Sequence, residues 1–179
     1  MTKTSERAAL GAVIGLIGGV VATGPMTVAM ILWHRRLPAS ERYALPPREI
    51  TMKLARGVGV SHKMNSEARA AATLLAHFGY GGAAGALYGA VADKIPVPTL
   101  CKGIGFGLLL WSASYLGLLP GTGVLKTAAD HPARRNALMI AAHAVWGAAL
   151  AGVSDLLQKE TRDAGLSPFS TTAAPHKDL

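Results

Sequence analysis

AALGAVIGLIGGVVATGPMTVAMILW, residues 8–33, contains no Asp, Glu, Lys or Arg and shows no polar face at a period of 3.6 residues. A helix over this run outlasts the roughly 20 residues that cross about 30 Å of hydrocarbon at about 1.5 Å per residue. Residues 70–92, 103–125 and 136–154 are equally free of the four charged residue types. The pattern predicts an all-α integral membrane four-helix bundle with spans at about 8–33, 70–92, 103–125 and 136–157. Residues 1–157 would form the transmembrane domain, and the polar stretch 158–179 a disordered tail.

Lys3 and Arg7 precede the first run as in a signal peptide, but the apolar stretch continues to Trp33, past the 7–15 residues of a cleavable core. An anchor helix is expected, bent where Gly24-Pro25 removes a backbone donor. Composition points the same way. Half of the 179 residues are hydrophobic, yet 6% are aromatic and 21 are glycine, whereas a water-soluble core of this size needs more large side chains. The formal charge of +8 comes from residues that flank the spans, so anionic headgroups, not nucleic acid, are the expected partner. The single cysteine, Cys101, excludes an intrachain disulfide and any CxxC metal site.

The first connection carries Arg35, Arg36, Arg42, Arg48, Lys53, Arg56, Lys63 and Arg69. Pro47 suits a first helical turn, and Ile50, Leu54 and Val58 follow at four-residue spacing, as in a short amphipathic helix on the membrane surface. Arg48, Lys53, Arg56, Arg69 and Arg135 are expected to face headgroups. The second connection, 93–98, has room for a tight turn, and Pro132 marks the start of the last helix. Adding Lys126, Arg134 and Arg135 to the first eight gives eleven basic residues in the first and third connections against seven elsewhere, which places the termini outside.

Gly11, Gly15 and Gly19 recur every four residues in the first span, and Gly81, Gly85 and Gly89 do so in the second. Such stripes let a neighbouring helix backbone approach closely, within one chain or between subunits. His77 precedes Gly81 by four residues and shares its face; His143 stands in the same relation to Gly147. Arg69 precedes His77 by eight residues and Arg135 precedes His143 by eight. Spans two and four run in one direction, so both imidazoles should lie at one depth, about 12 Å from their arginines.

An intramembrane histidine suggests a function by default. Three readings of the pair stand side by side: hydrogen-bonding struts between helices, a polar cavity lined also by Tyr80 and Trp146, and axial ligation of a b-type haem. The chain otherwise points to no cofactor and no metal. Trp111 and Tyr115 read as packing residues. Since the spans contain no Asp or Glu, proton-coupled transport is disfavoured, whereas a small pore or facilitator is not. PGTGVLKT at 120–127 lacks the glycine before Lys126 that a phosphate loop needs. No nucleophile–base arrangement or enclosed carboxylate pair is evident, so no enzyme is expected. The first expectation is a non-enzymatic accessory membrane protein with a buried histidine pair between helices, and a homo-oligomer or a larger membrane complex is compatible with the glycine stripes.

From about residue 10 to residue 157 the chain resembles the YagU-like family, small and poorly characterised bacterial inner-membrane proteins. The likeness rests on GLIGGVV, the basic LPPRE connection, the histidine-bearing second span and AAHAVWGA in the fourth. His77, His143-Ala144-Val145-Trp146 and Pro46-Pro47-Arg48 occupy the matching positions. The resemblance implies a multi-span inner-membrane protein with no established catalytic activity, connected with acid stress; the strongly basic first connection departs from the family's pattern. The full-length chain should sediment with membranes when a lysate is spun at high speed without detergent, and its recovery in the supernatant would contradict the membrane reading.

Overall fold

In hydrocarbon every backbone N–H and C=O has to be satisfied without water, and a helix achieves this within one segment. The computed structural model describes residues 3–165, which are helical or in connections and contain no β-strand. Five helices follow in order: α1 (Lys3–His34), α2 (Pro46–Gly57), α3 (Ser66–Val91), α4 (Thr99–Gly121) and α5 (Ala133–Asp163). Three of them, α1, α4 and α5, are long and apolar enough to cross a membrane. Large apolar side chains point outward from these helices, Leu109 being 64% exposed and Val13 57%, as lipid rather than water requires. The chain is thus an all-α, multi-pass membrane protein.

The expected second span does form a helix, but α3 is not among those three. Its five glycines, Tyr80, Tyr88 and His77 dilute the apolar side chains. Two further boundaries differ. α1 runs through Pro25 as one helix, with the Thr23 and Thr27 hydroxyls donating to the Gly19 and Thr23 carbonyls at 2.8 and 2.7 Å. α5 continues past residue 157 to Asp163, so the start of the expected tail is helical. Residues 166–179 lie outside the described residues.

α1 and α3 run antiparallel with their glycines facing one another at close approach. A Cβ built on Gly11 would overlap the Gly89 carbonyl, one on Gly15 the Gly85 carbonyl, and one on Gly19 the Gly81 carbonyl. α5 packs on the other side of α1, where a Cβ on Gly18 would lie 2.8 Å from Ser154 Oγ and Trp146 Nε1 donates to the Gly19 carbonyl at 3.3 Å. α4 then packs on α5, with Gly103 against the Gly147 backbone and Gly107 against the His143 carbonyl. The helices therefore follow the order α3, α1, α5, α4 in space. The core lies along this arc, with Ala22, Ala142, Leu150 and Ala151 fully buried.

α3 and α4, at the two ends of the arc, touch little. Tyr88 and Phe106 meet with ring centroids 5.3 Å apart. Nearer the other end, the Tyr80 hydroxyl and Ser114 Oγ are 3.1 Å apart. α2 lies by that end, burying Pro46, Met52 and Ala55. The apolar face expected on α2 is divided: Ile50 packs on the core, while Leu54 is 56% and Val58 74% exposed. Gly15→Val should destabilise the protein by about 1–3 kcal/mol in thermal unfolding, because a branched side chain forces two backbones apart. Gly105→Ala, with nothing within 4 Å of the added carbon, should leave the midpoint unchanged or slightly raised.

Candidate functional site: a histidine-lined cavity between α3 and α4

The glycine register of α1 on α3 continues for one turn beyond Gly19 and Gly81, and there Thr23 on α1 comes level with His77 on α3. Neither is small enough for backbone contact, so close packing ends at this point. On α5 the glycine contacts with α4 end at His143, one turn before Gly147, where Gly107 meets the His143 carbonyl. A cavity of about 230 Å³ opens here. α1 supplies Thr23 and Met26, α3 supplies Ala76, His77, Tyr80 and Gly81, and α5 supplies Met139, His143 and Trp146. From α4 come Leu110, Ser114, Tyr115, Leu118 and Leu119; from α2 come Pro46, Pro47, Ile50, Thr51 and Leu54. All four residues of the expected polar site, His77, His143, Tyr80 and Trp146, border this one space. No Asp, Glu, Lys or Arg does.

Hydrogen bonding decides what the imidazoles are free to do. His143 is 6% exposed, and its Nδ1 lies 2.8 Å from the Met139 carbonyl one turn earlier in α5. A carbonyl only accepts, so Nδ1 carries the hydrogen and Nε2 is left for another partner. His77 Nε2 is buried with no partner. Among the described residues no hydrogen bond from either imidazole crosses to another helix. This is a difference from the strut expected of them: the register that brings the histidines together also separates their helices there.

Two contributors were hidden in the sequence. Residues Ala113–Leu118 of α4 form a π-helical turn, a feature frequent at functional sites because it re-aims side chains. It buries Ser114 and Tyr115 side by side. Tyr115 stacks on Trp111 at 5.9 Å, as its packing role requires, and also stands edge-on to the His143 ring at 6.1 Å. No residue pattern announces a π-turn. Gly103 and Gly107, by contrast, repeat the four-residue spacing of the other stripes and were legible.

The basic residues divide into two groups. Arg48, Lys53 and Arg56 are exposed, and Lys53 Nζ donates to the carbonyl of Gly123, which has φ 66°. Arg69 is half-buried and donates to the Met64 and Ser61 carbonyls, both at 3.1 Å, so it fixes the start of α3. Arg135 corrects the expectation of a headgroup-facing side chain. It is 5% exposed, and its guanidinium donates to the carbonyls of Glu41, Tyr43 and Ala44 at 2.9, 3.1 and 3.0 Å. The same group lies 3.6 Å from the centroid of the Tyr43 ring. Tyr43 is hydrogen-bonded to His131 Nδ1 at 2.7 Å through its hydroxyl, and its carbonyl accepts from His34 Nε2 at 2.9 Å. This cluster joins the end of α1 to the start of α5 and holds the chain that leads into α2. Arg135→Ala should lower stability by about 1.5–3 kcal/mol by orphaning the Glu41 and Ala44 carbonyls and removing one of two donors to the Tyr43 carbonyl, and proteolysis should then cut first at 41–44. Arg135→Lys should recover part of the loss, lacking the planar fork.

No curated protein and no solved structure matches the chain. A family described as "Protein of unknown function (DUF1440)" matches residues 26–151. That segment contains every residue bordering the cavity except Thr23, and it leaves out Gly11, Gly15 and Gly19 while containing their partners on α3. With well over half of its length matched, the chain belongs to the DUF1440 family of proteins of unknown function.

Proposed function

We propose that this is a non-enzymatic protein of the bacterial inner membrane, allied to the YagU-like proteins, that binds a small solute in the cavity between α3 and α4. In this reading α3 is a fourth span: it lies antiparallel to α1 in glycine register, and the four long helices form a bundle held by glycine contacts within one chain. The basic surface of α2 meets anionic headgroups. The observation that carries the proposal is the cavity itself, which brings two imidazoles with free ring nitrogens, from α3 and α5, to one partly open and otherwise apolar space. That is the arrangement expected of a small-molecule site. With no carboxylate, Lys or Arg beside the imidazoles, proton transfer to a paired group has no structural basis, which supports binding rather than catalysis.

A b-type haem fits less well. The cavity falls below the roughly 300–1,000 Å³ of drug-sized ligand sites, and a porphyrin between the histidines would have to push α3 from α4. Stability measurements separate the binding reading from the strut. If His77 held two helices together, His77→Leu would lose about 0.6–2 kcal/mol. With its Nε2 bonded to nothing, His77→Leu should instead leave the unfolding midpoint unchanged or raise it. Native mass spectrometry of the full-length chain released from its own membrane should show a small adduct that is absent from Ala76→Trp, where an indole fills the space. Destabilised His77→Leu together with adduct-free wild-type protein would sink the proposal.

A further inference from the structure

The chemistry of the cavity wall narrows the class of molecule it would hold, on the premise that the cavity is a binding site. We infer that the ligand is an uncharged, mainly apolar molecule of about nine non-hydrogen atoms bearing one hydroxyl group. Size comes first. A cavity of about 150 Å³ accommodates benzene; scaled to about 230 Å³, the same packing admits about nine non-hydrogen atoms.

Charge follows from what is missing. None of the bordering residues is Asp, Glu, Lys or Arg, and an ion taken from water into such a space meets no counter-charge to offset its lost hydration. Neutral molecules are selected.

The hydroxyl follows from unbonded polar atoms. Tyr115 is 5% exposed and borders the cavity, yet its hydroxyl has no hydrogen-bond partner among the described residues. His143, edge-on to the Tyr115 ring at 6.1 Å, has used Nδ1 on the Met139 carbonyl. The neutral tautomer selected by that bond offers a lone pair at Nε2. His77 Nε2 on the facing helix is also unpaired. The free polar atoms of His143 and Tyr115 face the open space, while His77 Nε2 is a buried atom without a partner, and such exceptions call for an explanation. A ligand hydroxyl supplies one: it donates to an imidazole lone pair and accepts from the tyrosine hydroxyl, whereas a carbonyl or ether could only accept. The other polar groups are already engaged, Thr23 with the Gly19 carbonyl, Thr51 with the Pro47 carbonyl and Tyr80 with Ser114.

Titration of the full-length protein in nanodiscs with 4-ethylphenol, which has nine non-hydrogen atoms, and with 4-ethyltoluene, its counterpart without the hydroxyl, tests this. Calorimetry corrected for partition into protein-free nanodiscs should give saturable one-to-one binding of 4-ethylphenol, at least about fivefold tighter than 4-ethyltoluene, as one net hydrogen bond requires. Tyr115→Phe, which keeps the ring and the imidazole acceptor, should reduce that preference while leaving 4-ethyltoluene binding unchanged. Saturable binding of both probes with equal affinity would overturn the hydroxyl assignment and leave the binding site standing. Saturable binding of neither would mean that the space holds water alone, and would remove the binding reading with it. The comparison of the two probes on the wild-type chain decides these outcomes even if Tyr115→Phe fails to fold.

Discussion

The near-contact of two backbones at Gly11 with Gly89, Gly15 with Gly85 and Gly19 with Gly81 is the constraint from which the rest of this structure follows. Apolar surface gains little by leaving lipid for protein, so helices in a membrane associate through dispersion at short range, which large side chains prevent. Once α1 and α3 are locked in this register, the position at which the glycines run out is also fixed. α4 and α5 repeat the device with Gly103, Gly107 and Gly147, and it ends at His143. Two separately terminated contacts thus leave a gap in the same part of the arc. The cavity is the space beyond the last glycine on each side.

What closes that space is polar. α2 covers the cavity through Pro46, Pro47 and Ile50, and its approach is set by Arg135, which holds the carbonyls of the preceding loop. A buried guanidinium with three carbonyl partners and an aromatic face is well satisfied without a carboxylate. Lys53, bonded to the Gly123 carbonyl, ties α2 to the third connection. The high positive charge of the chain therefore has two uses: some of it faces outward, and some organises the connections.

Among the site residues, His77, His143, Tyr80 and Trp146 were legible because an ionisable or hydrogen-bonding group inside a charge-free run stands out against its neighbours. Arg69 and Arg135, eight positions before the two histidines, were legible as a pair, but the inward turn of Arg135 was not. Its burial depends on carbonyls more than ninety positions earlier in the chain. Tyr115 and Ser114 were hidden for another reason: an ordinary helix and a π-turn are written with the same residues, and the turn shows only when the backbone is followed through Ala113–Leu118.

The sequence by itself determined that the chain is helical and membrane-embedded, since solubility in lipid is a sum over neighbouring side chains along each segment. It also determined which faces carry small residues, because a four-residue repeat on a helix is a local property. Only the tertiary structure decided that these faces meet within one chain, that α1 and α5 fill the centre, and that two histidines 66 positions apart in the sequence border one cavity. Those outcomes depend on contacts between distant segments, where the fit of one surface against another, and not the character of either alone, sets the free energy.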